Sequence, residues 1–259
     1  RCHAPVGWLE GRSTPTDGSA LVQIDYEGVS CHFCHRMLEP KLDPGYPQPP
    51  RGDDVIRVVL QNEGLLPVRP GSGMYVVDQD DSRRGPWPFR FLEPGEEPEP
   101  PFIHENYHYD YAAGEQVPII YSPYHVGSSI CGTCHDVSNP AYVKQPDGTF
   151  ALNTLGTAHP TGDPADMFPI ERTYSEWLNS AYASGGVDAG GVFGGNHATG
   201  VMQTCQDCHM SDTESYGCVF ENDPFYMRPD VPAHDFNGGN TWVPQMILSI
   251  QDMYPNLLP

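Results

Sequence analysis

The sequence predicts a loop-rich fold, mainly irregular, with short α-helices. Three observations predict it. Gly 27 and Pro 28 break up a chain of 259 residues, a high share that still lies below the level typical of disorder. Tyr 14, Phe 10 and Trp 4 supply large apolar surfaces between those breakers. Finally, one pentapeptide, C-x-x-C-H, recurs three times, at Cys31–His35, Cys131–His135 and Cys205–His209.

C-x-x-C-H is the attachment signal for c-type haem. The two thiols of each motif add across the two vinyl groups of one haem. Each addition forms a sulfur–carbon bond and leaves the thiol proton on the neighbouring carbon. The histidine that follows lies under the iron and supplies its proximal imidazole. Haem c is therefore expected on Cys31, Cys34 and His35, on Cys131, Cys134 and His135, and on Cys205, Cys208 and His209. Structural zinc would need a second pair of ligands at each site, and three isolated pairs, each followed directly by His, fit it poorly. A thioredoxin-like redox pair needs a βαβ setting, which the sequence lacks.

Arg1-Cys2-His3 reads as the tail of the same pentapeptide. The expectation is a fourth haem on Cys2 and His3, cut by the start of the sequence. Haem attachment requires export, so a signal peptide is expected outside this segment. The alternative is a Cys2–Cys218 disulfide, because those two cysteines lie outside the three motifs.

Lys+Arg 13 against Asp+Glu 34 give a formal net charge of −21. That balance argues against nucleic acid and anionic membrane surfaces as partners and suits cationic redox partners. No run of 18 apolar residues is present, so no membrane span is expected. The carboxylates would suit calcium as a further cofactor, although no EF-hand-like loop occurs. Residues 1–259 are expected to form a single haem-wrapped unit, truncated at both ends, with a minor insertion at 50–100.

In chain order, two proline-rich acidic stretches, 39–50 and 93–101, read as extended loops,. Between them, Val55–Leu60 and Met74–Val77 are strand candidates for a small β-hairpin away from the haems,. Each C-x-x-C-H is expected on its own short helical turn. Thr173-Tyr174-Ser175-Glu176 is a capping-box pattern,. Tyr174, Trp177, Leu178, Ala181 and Tyr182 follow at helical spacing until Gly185-Gly186 stops the run,. A last helix is expected after Pro244, with Met246, Ile247, Ile250, Met253 and Tyr254 on one face,.

The chain has 11 histidines, more than an ordinary globular chain needs. Beyond His35, His135, His209 and His3, the candidate distal ligands are His125, His197 and His234, followed by His108, His104 and His159. His125 and His197 lie shortly upstream of the second and third motifs. A histidine so placed does not easily reach over its own haem, but it can serve a neighbouring one. Gly238 and Gly239 after His234 allow close backbone approach to a flat ligand,. His32 reads as a surface residue. Methionine, the competing axial ligand, is disfavoured: Met210 follows His209 directly and should point away.

Trp8-Leu-Glu-Gly-Arg-Ser13, Asp17-Gly-Ser-Ala-Leu21 and Glu27-Gly-Val-Ser-Cys31-His-Phe-Cys34-His35-Arg36 resemble large secreted bacterial multihaem c-type cytochromes. So do Ile130–Pro140, Glu171–Leu178, Thr204–Met210 and His234–Pro244. The resemblance covers most of the chain apart from residues 40–120. It implies a fold organised around a stack of covalently bound haems in close parallel and T-shaped pairs, with bis-histidine iron and little regular secondary structure. It also implies a full C-x-x-C-H before Trp8.

The expected role is electron transfer in the periplasm or at the cell exterior. Partners would be other redox proteins or further copies of the chain, including assembly as a filament subunit. Two alternatives stay open. One is a multihaem oxidoreductase with one open haem site, which the histidine surplus and the negative charge disfavour. The other is a haem-bearing subunit of a respiratory or photosynthetic complex.

Overall fold

The computed structural model describes residues 1–40, 53–80, 82–86, 107–110, 114–189, 194–216 and 227–236. Its contacts divide the chain into Arg1–Trp177 and Leu178–Pro259, and each unit is described by itself. Elements are short: helices α1 (Pro5–Leu9), α2 (Cys31–Cys34), α3 (Asp53–Asn62), α4 (Ser129–Gly132), α5 (Thr173–Leu178), α6 (Ala181–Gly185) and α7 (Cys205–His209). Strands are paired locally into several small sheets.

In the first unit, strand β1 (Met37–Leu38) follows the first motif directly and pairs antiparallel with β2 (Val76–Val77). Strand β3 (Arg83–Gly85) runs parallel to β5 (Glu115–Tyr121), which also pairs antiparallel with β4 (Tyr107–Asp110). Strand β6 (Val137–Lys144) leaves the second motif and is flanked by β7 (Phe150–Leu152) and β8 (Met167–Glu171). The core is an aromatic cluster around the motifs. Phe33, Met37, Tyr75 and Tyr124 are buried together, with Trp8, Cys34, Val77 and Ile130 packed on them. Tyr75 takes Phe33 edge-on at 4.7 Å and Trp8 edge-on at 5.5 Å, the arrangement ring quadrupoles favour.

The expected strand at Val55–Leu60 is helix α3 instead, so the hairpin between 55–60 and 74–77 does not form. Val76–Val77 is a strand, but its partner is Met37–Leu38. The apolar run misled because α3 buries its polar side: Asp53 and Arg57 are buried while Val55, Val58 and Val59 are exposed. Asp53 and Asp54 occupy the first turn of α3, where the helix dipole favours carboxylates. Arg57 pairs with Asp54 one turn earlier, at 2.7 Å.

The helix expected from Thr173 through Tyr182 breaks at Ser180, whose backbone is extended (φ −95°, ψ 169°). Asn and Ser compete for backbone hydrogen bonds and favour helix ends over interiors. Tyr174 and Trp177 still stack at 5.5 Å, but Leu178 and Tyr182 are exposed. The second unit contains α6 and the pairs β9 (Val187–Asp188) with β10 (Val201–Met202) and β11 (Asp212–Ser215) with β12 (Arg228–Pro232). The proline-rich loops at 41–50 and 93–101, and the helix expected after Pro244, lie outside the described residues.

Candidate functional site

All three motifs sit on a turn of helix, as their spacing predicts. In the first, Cys34 N donates to Ser30 O and His35 N donates to Cys31 O, both at 3.0 Å. The Ser30 hydroxyl caps this turn by accepting from Phe33 N,. In the second, His135 N donates to Cys131 O at 2.9 Å. In the third, Thr204 and Asp207 form a capping box around α7,. In each motif the histidine thus follows one turn after its first cysteine.

The first motif has the most completely defined histidine. His35 Nδ1 lies 2.5 Å from the backbone oxygen of Arg84. A carbonyl only accepts, so Nδ1 carries the proton and the lone pair belongs to Nε2. Metal-ligating histidines are held in this way through their other nitrogen. The geometry therefore suits a metal ligand.

His125 lies against this motif, not its own. Its Nε2 donates to Cys34 O at 3.0 Å, and its ring runs within 12° of parallel to His35 at 5.5 Å between centroids. Desolvation by its surroundings pushes the imidazole down to about 3. The ring is therefore neutral at physiological pH, the state in which histidine ligates metals. Tyr124, beside it, is buried and shares a 2.7 Å hydrogen bond with the Thr133 hydroxyl of the second motif. Residues 124 and 125 thus join the surroundings of two motifs.

The second motif is fixed from behind. Its neighbour Asp136 is buried and accepts from Arg172 Nη1 at 2.7 Å and from the Ser175 hydroxyl. Tyr174 N donates to His135 O at 2.8 Å. The Tyr174 ring packs against Gly132, where a Cβ would come within 2.6 Å of Tyr174 Cδ2. His135 itself is exposed.

Cys2 lies beside this second motif. A hydrogen bond with the Cys134 thiol holds the Cys2 thiol well below its ordinary value, at about 6, and pushes Cys134 up. Burial pushes the Cys34 thiol up to about 11. Cys2 therefore faces Cys134, while Cys218, its alternative partner, lies outside the described residues. His3 is exposed.

In the second unit, His234 Nδ1 donates to Pro232 O at 3.0 Å, which gives it the same tautomer as His35. The turn carrying His197 is tied to the chain just past the third motif. Asn196 N donates to Asp212 O at 2.9 Å, and Asp212 N donates to Gly194 O at 3.0 Å. His197 Nδ1 is buried without a hydrogen-bond partner. Exposed His209 ends α7.

Two other histidines, His159 and His32, separate from this group. At His159, Thr161 N donates to Nδ1 at 3.4 Å, which takes up the ring lone pair and leaves the proton on Nε2. Arg36 donates to His32 Nε2 at 2.9 Å, which takes up that lone pair and leaves His32 an exposed surface residue. His108 lies in β4, and His104 lies outside the described residues.

The sequence reading missed Arg84, Asp53, Asp78 and the Cys34 carbonyl. A backbone acceptor has no residue signature, and buried Arg–Asp pairs are indistinguishable in sequence from surface ones. Among the described residues, no group of three or more His, Cys, Asp or Glu converges on a metal-sized site, and no helix is long and apolar enough to cross a membrane. No protein-family model matches the chain, and neither a curated protein nor a solved structure matches it.

Proposed function

We propose that this chain is a multihaem c-type cytochrome that carries electrons between haems held by histidine. The observation that carries the proposal is the threefold C-x-x-C-H, each copy on a helical turn that sets its histidine one turn after the first cysteine. The residues fit the group. Cys31 is exposed and the other motif thiols are half-buried, so a flat partner can reach them. His35, His125 and His234 each donate a ring N–H to a backbone carbonyl, which leaves the opposite nitrogen as the basic one.

When bound, haem supplies one-electron exchange at iron, and the protein supplies ligation, spacing and dielectric. Cys31 and Cys34 with His35, Cys131 and Cys134 with His135, and Cys205 and Cys208 with His209 would each hold one. Cys2 and His3 would belong to a fourth beside the second, because Cys2 faces Cys134. His125 would help hold iron next to the first motif, and His234 in the second unit. Phe33, Tyr75, Tyr124 and Trp8 would exclude water around the first two motifs. With histidines on its iron and a low local dielectric, such a group would favour electron transfer over substrate chemistry.

The setting proposed is the periplasm or the cell exterior, where haem attachment takes place. The net charge of −21 suits cationic redox partners, and further copies of the chain are the other partner class.

Pyridine haemochrome absorbance against protein concentration, checked by intact mass, tests the reading. Three or four haems per chain are expected. No haem, with zinc bound instead, would overturn it.

A further inference from the structure

We propose that Arg84 is the positioning residue for His35 as an iron ligand, gripping its main chain and its ring together while buried carboxylates hold Arg84 in place. The inference rests on the haem reading above.

Arg84 contacts His35 twice. Arg84 N donates to His35 O at 2.7 Å, and Arg84 O accepts from His35 Nδ1 at 2.5 Å. In an extended strand, the N–H and C=O of one residue point to the same side. Residue 84 therefore faces His35 with both groups, while Gly85 O turns the other way and accepts from Ser122 N at 2.7 Å. Pairing of β3 with β5 fixes this orientation, with Arg84 opposite Ile120.

The side chain supplies the second hold. Arg84 is 1% exposed. Its Nε and Nη2 donate to Asp53 Oδ1 at 3.1 and 2.7 Å, and Nη2 also donates to Asp78 Oδ2 at 2.6 Å. Nη1 donates to Ser82 O at 3.1 Å. Asp78 closes the circuit, because its own N donates to Arg36 O at 3.0 Å. Residues 35, 36, 78 and 84 thus form a closed ring of contacts, and Asp53 anchors it to the first turn of α3.

Burying a guanidinium with two carboxylates is a poor way to gain stability, because desolvation offsets most of the attraction. It does fix geometry: the planar fork admits few orientations. What it fixes is the acceptor that keeps the proton on His35 Nδ1 and points Nε2 away from it. An outer partner of this kind sets ring orientation and ligand basicity.

The test uses the haem-loaded full chain with Arg84→Lys and Asp53→Asn. Lysine keeps the charge and loses the fork. Haem count, thermal unfolding, carbon monoxide binding to the reduced protein, and the redox titration are read for each variant. The expected result is an unchanged haem count with one haem equivalent altered. Its midpoint potential shifts and its share of carbon monoxide binding rises toward one equivalent, while the other haems stay as in the native protein. Asp53→Asn should move the same haem by less and carries the test if Arg84→Lys does not fold. Full haem with unaltered potentials and carbon monoxide binding in the folded variants would overturn the positioning role, even if their melting temperature fell. A haem-free native protein would overturn the cytochrome reading itself, and this inference with it.

Discussion

His125 donates from Nε2 to the carbonyl of Cys34 across 91 residues of sequence, at 3.0 Å. A histidine close upstream of the second motif is thereby committed to the first. Upstream position alone suggested service to a neighbouring haem. The geometry puts it against the first motif, with Nε2 on Cys34 O and the His35 ring stacked at 5.5 Å.

Replacing His125 by alanine should expose this arrangement. The haem count should be unchanged, because no cysteine is touched. Carbon monoxide binding to the reduced protein should rise by about one haem equivalent, with a new high-spin band in the ferric spectrum, as expected when bis-histidine iron loses one axial ligand. An unaltered spectrum in a fully loaded variant would remove His125 from the ligand set.

His234 and His159 offer a matched contrast. His234 donates to Pro232 O, and His159 accepts from Thr161 N. His234→Ala should raise carbon monoxide binding, whereas His159→Ala should leave both the spectrum and the potentials as they are. The reverse pattern would show that a ring N–H held by a backbone carbonyl does not report ligation in this fold.

Gly132 has no room for a side chain. A Cβ there would lie within 2.6 Å of Tyr174 Cδ2, so Gly132→Ala must displace that ring or the motif turn. Overpacking of this kind costs about 1–3 kcal/mol, which a thermal or denaturant melt of the loaded protein would read. Adding Tyr174→Ala should recover part of the loss, and a double variant no more stable than Gly132→Ala alone would place the strain elsewhere.

Asp25 is buried and accepts from Arg12 Nε at 2.8 Å, Arg12 Nη2 at 2.7 Å and Val22 N at 2.9 Å. The guanidinium beside it holds its carboxyl down at about 2, below the ordinary value of about 3.9. A carboxyl depressed by folding adds stability that is fully present above its unfolded value and is lost as pH falls through its folded one. The native protein should therefore lose stability on acidification from about pH 4 toward pH 2, with part of that loss absent in Asp25→Asn. Parallel acid profiles for the two proteins would show that the pair contributes nothing to the pH dependence.

The sequence by itself determined the chemistry-bearing units. C-x-x-C-H is local: its spacing puts two thiols and an imidazole on one helical turn whatever surrounds it, and all three copies adopt that turn. Among the described residues the elements are short, and glycine and proline act on their own backbone. Val55–Leu60 was not legible, because an apolar run reads as a buried strand until something decides which side is covered. Here Arg84 and Glu39 O cover the polar side of α3 through Asp53 and Arg57. The break at Ser180 was likewise a contest between a good apolar period and two residues that favour helix ends.

Only the tertiary structure decided which nitrogen of His35, His125, His159 and His234 carries the proton, that His125 belongs beside Cys34, that Cys2 faces Cys134, and that Arg84 stands behind His35. The physical reason is common to all four. These relationships run through backbone carbonyls and through contacts between residues far apart in the chain, and neither leaves a mark on the identity or spacing of neighbouring side chains.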